Sequence, residues 1–228
     1  MARSVARTLA DAHQDIPRRL SKECFVDQHA WNDLHPDRPI PLWEGIKHDI
    51  VAHIPPDLRP RSVASWVITG AGVLVQSSGF HVTLIYRLAH ALRSRLGPLG
   101  RALSGLAFWW GRHFYGCSIA PSARLFGGLI LPHPQGLVIG ADVVIGPRAW
   151  IFQNVTVGGA PGKTGMPKVG ADARIYSGAV LTGPIAVGDN VMFGANVVVA
   201  RDVPARTIVR PSIVEFSTLP SQYEADSS

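Results

Sequence analysis

In the second half of the chain, one large apolar side chain returns every six residues, usually with a small residue just behind it. The series falls into three phased runs, and its members are Ile119, Leu125, Leu131, Ile139, Ile145, Ile151, Val157, Val169, Ile175, Leu181, Val187, Phe193 and Val199. In a parallel β-helix each six-residue step forms one flat face, and three steps complete a triangular coil. The pattern therefore predicts a parallel β-helix with these side chains along its axis.

Two steps in the series are longer than six residues. The step from Leu131 to Ile139 spans eight residues, so two extra residues are expected to bulge out at 133–136. The step from Val157 to Val169 spans twelve and stays in phase, but its filling holds four glycines and two prolines. That composition does not suit two flat faces, so an excursion loop is predicted over 158–168. Irregular segments on a rigid scaffold are where function is expected.

The first half of the chain has apolar residues at steps of three and four, which is typical of helices. Breaks rich in proline, glycine or serine separate four predicted helices, over 41–54, 63–75, 80–96 and 99–116. In the third helix, Phe80, Leu84, Leu88 and Leu92 are expected on one apolar face, with Tyr86 turned elsewhere. Trp109 and Trp110 in the fourth are expected in the core or a subunit interface.

Together these patterns predict an α+β protein, with an N-terminal helical domain followed by a hexapeptide-repeat solenoid. The expected divisions are a loosely docked arm at 1–38, a helical domain at 39–116, the solenoid at 117–208 and a tail at 209–228. The helical domain is expected to cap the exposed first coil. Parallel crossovers are nearly always right-handed, but solenoids of this architecture are known to coil left-handed, so a left-handed β-helix is predicted.

The charge balance points to an anionic partner. The chain of 228 residues has a formal net charge of +6, which suits a nucleic acid, a membrane surface or a phosphorylated cofactor. The basic residues are scattered and not grouped with aromatic ones, so nucleic acid is not expected. The most apolar stretch, 63–75, is shorter than a membrane-spanning helix, and no signal peptide is evident. Two cysteines without metal-ligand spacing favour a reducing cytoplasm.

Candidate chemistry lies in the bulge and in the excursion loop. His133 is the only histidine of the repeat region. It is either a general base or an imidazole hydrogen-bonded to the backbone of its loop. The loop at 158–168 is either a phosphate-binding segment, with Lys163 and Lys168 as cations, or an ordinary surface loop. A solenoid metal site needs about three ligands, which the repeat does not offer, so no metal is expected.

Four ordered segments resemble the serine O-acetyltransferases, which are left-handed β-helix hexapeptide acyltransferases. They are GFHVTLIYRLAHAL at 79–92, CSIAPSARLFGGLILPHPQGLVIGADVVIG at 117–146, IFQNVTVGGAPGKTGMPKVG at 151–170 and VGDNVMFGANVVVARDVP at 187–204. The resemblance implies a CoA-dependent acetyltransferase that works as a homotrimer or a dimer of trimers. It implies that acetyl-CoA lies in a groove between subunits, and that the acceptor attacks the thioester directly.

The resemblance also assigns roles to individual residues. His133 matches the family's general base by its position and by the GLVIG that follows it. Gly159 and Ala160 fall in the loop that lines the CoA arm, and Ser177 and Ala195 on the two coil positions beside it. Lys163, in the same loop, is added as a cation for the phosphates.

Several positions depart from the family pattern. The aspartate before the base is Pro132, and the aspartate that orients the base is Ser118. The family's Arg-His-Pro-Lys segment reads Gly165-Met166-Pro167-Lys168. These departures remove the charges that hold the serine zwitterion, so Ser118, Pro132 and Met166 are expected to line a less charged site.

The acceptor is therefore predicted to be a hydroxyl or amine of a small molecule other than free L-serine. Two alternatives stay open at this point: a non-catalytic trimeric scaffold that binds a partner, and an O-acetyltransferase of a sugar or polysaccharide precursor. O- versus N-acylation and the length of the acyl chain also stay open.

Overall fold

A computed structural model describes residues 41–54 and 62–211. Four helices come first: α1 (Leu42–His53), α2 (Val63–Gln76), α3 (Ser78–Arg95) and α4 (Gly97–Tyr115). The Ser77 hydroxyl caps α3 by accepting from the Phe80 N–H at 3.1 Å, and Gly116 ends α4 in the left-handed conformation. The predicted arm at 1–38 and residues 212–228 of the predicted tail lie outside the described ranges.

Short strands follow the helices at nearly regular intervals. They are β1 (Ser118–Ile119), β2 (Arg124–Leu125), β3 (Val138–Ile139), β4 (Val144–Ile145), β5 (Trp150–Ile151), β6 (Thr156–Gly158), β7 (Lys168–Val169), β8 (Arg174–Ile175), β9 (Val180–Thr182), β10 (Ala186–Val187), β11 (Met192–Phe193), β12 (Val198–Val199) and β13 (Ile208–Val209).

These strands form the three faces of a solenoid. Sheet I has the order β1-β3-β6-β9-β12, sheet II β2-β4-β7-β10 and sheet III β5-β8-β11-β13. All pairs are parallel, and repeat positions pair with repeat positions, as in Ile139 with Val157 and Val157 with Leu181. The predicted fold class, helices followed by a left-handed β-helix of hexapeptide repeats, is confirmed.

The core runs along the solenoid axis. All thirteen side chains of the six-residue series are buried, from Ile119 to Val199, so the pattern identified the core correctly. Small residues such as Ala123, Ala149 and Ala173 are buried two positions before a series member. The solenoid therefore buries one large and one small apolar residue on most faces, which stabilises it coil by coil.

The corners of the solenoid carry a second repeat that the hydrophobic pattern does not reveal. A residue with positive φ lies three positions before most of the buried series members. Besides glycines, these residues are Asp142, Arg148, Asn154, Asp172, Asn190 and Asn196, and Arg206 holds the same position before Val209 of β13. Asparagine and aspartate tolerate this conformation better than other side chains, which explains most of the set.

The two long steps behave as predicted from their lengths. Ile130 bridges to Trp150 of sheet III, and the next strand, β3, belongs to sheet I. The segment between them is two residues longer than the usual step and forms a bulge. Between β6 of sheet I and β7 of sheet II, the segment 159–167 contains no strand and leaves the solenoid as a loop. Both interruptions leave the register of the three sheets intact.

The predicted buried face of α3 is wrong. Leu88 is exposed, whereas Val82, Thr83, Tyr86, Arg87 and Ala89 are buried together with Phe80. The pattern favoured the leucines because leucine is usually buried. The first coils of the solenoid instead offer α3 backbone carbonyls as hydrogen-bond acceptors, and this favours the side of the helix with Tyr86 and Arg87.

No single helix in the described ranges is both long and apolar enough to cross a membrane. One bent pair, Ile68–Gln76 with Ser78–Arg95 at 95°, meets the requirements of length and composition when the two are taken together.

Candidate functional site

The bulge that carries His133 is held through its backbone. The N–H of Gly136 donates to the Gly116 carbonyl at 2.8 Å, and the N–H of Leu137 donates to the Pro134 carbonyl at 3.2 Å. Gly136 has φ +69°, and a Cβ there would lie 2.0 Å from Oδ1 of Asn154 on the next coil. The turn therefore requires glycine at 136, and it leaves the His133 side chain exposed.

The first turn of α3 packs directly against the chain that enters the bulge. A Cβ on Gly79 would lie 1.8 Å from the Leu131 carbonyl oxygen, so only glycine allows this approach. Thr83 adds to the local order by donating its hydroxyl hydrogen to the Gly79 carbonyl at 2.9 Å. This contact fixes the backbone two residues before His133.

A buried ion pair anchors the helices to the coil that precedes the bulge. Arg87 Nε donates to Asp49 Oδ2 at 2.9 Å, and both side chains are almost fully buried. Asp49 Oδ1 also accepts from the N–H groups of Gly128 and Leu129 at 2.9 and 3.0 Å. Arg87 donates further to backbone carbonyls, including that of Phe126 at 2.8 Å. Because every charge is hydrogen-bonded, the pair joins α1, α3 and residues 126–129 into one unit.

Tyr86 completes this anchor from the next position on α3. Its hydroxyl donates to the Ala123 carbonyl at 2.8 Å and accepts from the Leu125 N–H at 3.0 Å. Burial raises the pKa of the Tyr86 hydroxyl to about 12, so it stays a neutral donor at any physiological pH. The sequence pattern missed this set of contacts.

The corner that carries the bulge continues along the solenoid as a column of side chains. Its members, one per coil, are Gln135, Gln153, Ser177 and Ala195. The N–H that follows each later member donates to the carbonyl of the member on the coil before, at 2.9–3.1 Å. The structure therefore places the predicted CoA positions Ser177 and Ala195 on the same edge as the His133 bulge. Gln153, which the sequence did not single out, has a buried Oε1 without a partner among the described residues.

The excursion loop begins at the opposite edge of sheet I. Its start is tied to the next coil, because the Gly183 N–H donates to the Gly158 carbonyl and the Thr182 hydroxyl donates to the Gly159 carbonyl, both at 3.0 Å. A turn follows, in which the Lys163 N–H donates to the Ala160 carbonyl at 3.1 Å. Lys163 itself is exposed.

Met166 folds back over the start of this loop. A Cβ on Gly159 would lie 3.3 Å from Cε of Met166, and the methionine also packs partly buried against the core. The structure thus brings Gly159, Ala160, Lys163 and Met166 together in one loop.

Sheet I lies between the bulge and the loop. Its outward positions are Ser118, Val138, Thr156, Val180 and Val198, of which Val198 is 72% exposed. The predicted residue Ser118 therefore lies on this strip, paired with Val138 of the next coil. A strip with three valines between two irregular edges provides a flat apolar wall.

A cavity of about 480 Å³ opens beside the bulge, between the end of α1, α2 and the first turn of α3. Pro132, the residue before His133, forms part of its wall. The remaining lining residues are His53, Ile54, Thr69, Gly72, Val73, Gln76, Ser77 and Ser78. None of them is a carboxylate, a lysine or an arginine, and of the predicted acceptor-site residues only Pro132 belongs to the lining.

His53, one of the lining residues, has a ring nitrogen without a hydrogen-bond partner in the described part of the chain. Its Nδ1 lies 2.7 Å from the Asp49 carbonyl oxygen, and since that oxygen can only accept, Nδ1 carries the hydrogen. The unpartnered nitrogen is Nε2, which is buried. Sequence patterning gave no signal for His53, because the cavity that it lines forms only when the helices pack together.

The described residues contain no cluster of side chains that could bind a metal ion. Over residues 41–54 and 62–211, no three His, Cys, Asp or Glu side chains converge in a way that would hold an ion. Cys117 is a free and buried thiol, and burial raises its pKa to about 11, so it is a poor nucleophile.

Comparison with known proteins gives concordant results. Residues 166–201 match the family model described as bacterial transferase hexapeptide (six repeats). The serine acetyltransferase of Helicobacter pylori (strain ATCC 700392 / 26695) is 42% identical over 135 residues, which cover 58% of this chain and 77% of that protein. The serine acetyltransferase of Synechococcus elongatus is 37% identical over 139 residues, which cover 60% of this chain and 55% of that protein.

The same likeness extends to a solved structure. The Neisseria gonorrhoeae serine acetyltransferase in complex with serine has a TM-score of 0.64 to this chain at 29% identity, over 75% of this chain and 67% of the other. The likeness reaches beyond the solenoid, because the solenoid alone does not fill three quarters of the chain.

Proposed function

Since this chain belongs to the serine acetyltransferase family of hexapeptide-repeat acyltransferases, we propose that it transfers an acetyl group from acetyl-CoA to a hydroxyl or amine of a small molecule other than free L-serine. The observation that carries the proposal is the single edge on which the His133 bulge, Ser177 and Ala195 are aligned, with an uncharged cavity next to the bulge.

His133 is the proposed general base. It takes the proton of the acceptor hydroxyl or amine as the acceptor oxygen or nitrogen bonds to the thioester carbonyl carbon. The tetrahedral intermediate then expels the CoA sulfur, which recovers the proton from the imidazolium. No acyl-enzyme is needed, and the exposed imidazole on a backbone-fixed bulge suits direct transfer between two bound substrates.

The donor is proposed to bind between two subunits of a homotrimer, along the column of one subunit and under the excursion loop of its neighbour. Ser177 and Ala195 offer small side chains on a flat edge, which lets an extended thioester arm lie against the coils. Gly159 and Ala160 allow close approach at the loop, and exposed Lys163 offers its charge to the phosphates. In a homotrimer, which hexapeptide-repeat proteins typically form, the valine strip of sheet I would face a neighbouring subunit.

The acceptor is proposed to occupy the cavity beside Pro132. A zwitterionic amino acid needs partners of both signs, and the lining residues that the structure describes include neither a carboxylate nor a fixed cation. Hydroxyl and amide side chains there suit a neutral compound with hydrogen-bonding groups. A cavity of about 480 Å³ also has room for a compound larger than serine, such as a sugar derivative.

Acetyl transfer to free L-serine tests the acceptor side of the proposal. We expect a kcat/KM below about 10⁴ M⁻¹s⁻¹, the lower end of the range for efficient enzymes. CoA release would be followed with a thiol reagent, over a panel of amino acids, amino sugars, sugars and nucleotide sugars. Efficient turnover of L-serine, with no better acceptor in the panel, would refute the proposed change in substrate.

Replacement of the base tests the mechanism. His133→Ala is expected to lower kcat on the best acceptor by about 10²–10⁴-fold, because proton removal then depends on water. His113→Ala, which removes an exposed histidine of α4, is the matched control and should retain activity. Near-normal turnover by His133→Ala would remove His133 from the mechanism. Failure of the native chain to bind acetyl-CoA in calorimetry would instead favour a non-catalytic scaffold.

A further inference from the structure

The fourth helix carries a large apolar surface that the rest of the described chain does not cover. Leu99 is 64% exposed and Leu106 59% exposed. The other exposed large apolar side chains at this helix are Leu96, Leu103, Trp109, Trp110 and Phe114. Exposed apolar residues are normal when scattered, but a row along one helix marks an interaction surface.

The row has helical spacing. Leu99, Leu103, Leu106, Trp110 and Phe114 follow one another at steps of three or four, so they project from one side of α4. A second side is buried and holds Gly100, Ser104 and Gly111 against the protein. Arg101 and Arg112, eleven residues apart, share a third side. The apolar row therefore lies on an exposed side of the helix, beside the buried side and roughly opposite the two arginines.

The described helices α2 to α4 carry positive charge and no negative charge. From residue 58 to residue 141 the sequence contains no aspartate or glutamate. The helices α2 to α4 contain five arginines, of which Arg87 is paired with Asp49 of α1. The other four are exposed, and two of them, Arg93 and Arg95, directly precede the exposed Leu96 at the turn between α3 and α4.

We propose that α4 binds the surface of an anionic phospholipid bilayer. Leucine, tryptophan and phenylalanine on one side of a helix, with arginine nearby, are typical of helices that lie in the interface of a membrane. Nineteen residues give α4 a length of about 28 Å, enough to lie flat with its apolar row below the headgroups. The arginines then lie near the lipid phosphates, and the electrostatic attraction between them acts over about one Debye length.

A second copy of the chain is the alternative partner for the apolar row of α4. A two-fold interface would set this patch against itself. Each copy would then bring Arg93 and Arg95 next to the row, with no carboxylate from α2–α4 to pair with them, so like charges would meet. An anionic bilayer removes that repulsion, and this difference favours the lipid.

The test is sedimentation of the full chain with vesicles. We expect binding to vesicles of phosphatidylcholine and phosphatidylglycerol at 7:3, and much weaker binding to phosphatidylcholine alone. Leu99→Gln with Leu106→Gln is expected to lower the partition coefficient at least about tenfold, because two leucines no longer leave water. Ile208→Gln, an exposed apolar residue of the solenoid, is the matched control and should bind like the native chain.

A second pair of variants tests the charge. Arg93→Gln with Arg95→Gln is expected to weaken binding to the anionic vesicles roughly tenfold or more, and the loss should shrink as salt is raised. Arg201→Gln, an exposed arginine of the solenoid, is the control. Thermal melting of each variant verifies that it is folded.

Two results would overturn the proposal. One is equal binding of the native chain and the leucine variant to anionic vesicles. The other is no binding to vesicles, together with a native mass that falls when Leu99 and Leu106 are replaced, which would make the row an interface between copies. Neither result depends on acetyl transfer, so the proposed enzymatic activity stands or falls separately.

Discussion

At the scale of single residues, His90 shows how the fold changes an ordinary side chain. It lies partly buried on α3, with Nδ1 2.9 Å from the Pro121 carbonyl oxygen, to which it donates. Burial lowers the pKa of its imidazole below the usual 6.5, and the hydrogen bond to Pro121 opposes this only in part. The folded protein thus holds His90 neutral at a pH where the unfolded chain binds a proton.

This shift predicts a loss of stability on the acid side. A depressed pKa in the folded state adds stability above the unfolded pKa, and this stability disappears as the pH falls through the folded value. The free energy of unfolding should therefore decrease as the pH falls below about 6.5, and the decrease should be smaller in His90→Gln. Urea unfolding at pH 5.0, 6.0 and 7.5 measures both slopes. Parallel curves for the two proteins would contradict the assignment to His90.

At the residue level, the sequence singles out a candidate where one position departs from a regular pattern. His133 is the only histidine among the repeats, and it sits where the repeat breaks, so sequence and family resemblance both pointed to it. Asp49, Arg87 and His53 gave no comparable signal. The contacts of Asp49 span 38 residues to Arg87 and 79 to Gly128, and such contacts exist only once the helices have docked.

At the scale of elements, the packing of the helices against the solenoid depends on the buried ion pair Asp49–Arg87. Asp49→Ala is expected to lower the free energy of unfolding by about 3–5 kcal/mol, because it leaves a buried guanidinium and two backbone N–H groups without their carboxylate. Guanidinium unfolding followed by circular dichroism measures the change.

An exposed pair in the same helix provides the control. Glu44 and Lys47 form an ion pair at 2.9 Å on the surface of α1, and Glu44→Ala should leave the unfolding midpoint nearly unchanged. If Asp49→Ala lowered the free energy of unfolding no more than Glu44→Ala does, the buried ion pair would not hold the helices to the solenoid.

Elements were predictable to the extent that their pattern is periodic. The six-residue period identified the faces of the solenoid from Ile119 to Val199, because each of these faces buries its apolar residue whatever lies around it. It did not include the last face, which is formed by β13. The buried side of α3 was not predictable from leucine positions. The helix packs against backbone carbonyls of the first coils, and polar side chains satisfy those carbonyls better than leucine does.

At the scale of the whole molecule, the proposed trimer would bury sheet I between subunits, next to the proposed site. Val198 is 72% exposed on its outward strip, between the edge with the bulge and the edge with the loop. Val198→Glu is expected to convert the proposed trimer to monomers and to abolish the proposed acetyl transfer, because a buried carboxylate without a partner opposes association. Light scattering after size exclusion measures the mass, and CoA release measures activity.

A glutamate placed outside this strip serves as the control, because it distinguishes a loss of assembly from a general effect of the added charge. Ile208 is 56% exposed on β13 of sheet III, and Ile208→Glu should keep the native mass. A Val198→Glu protein that retained the native mass and full activity would place the subunit interface elsewhere.

The excursion loop leaves and re-enters the solenoid at neighbouring points. The carbonyl of Gly158 is fixed by the Gly183 N–H, and the Pro167 carbonyl by the Val144 N–H, while β6 and β7 keep the register of their sheets. The coils thus set no length for the intervening segment, and each doubling of a flexible loop costs only about 0.6 kcal/mol. The segment can therefore be lengthened, shortened or replaced during evolution, and new substrates acquired, without a change in the coils beneath it.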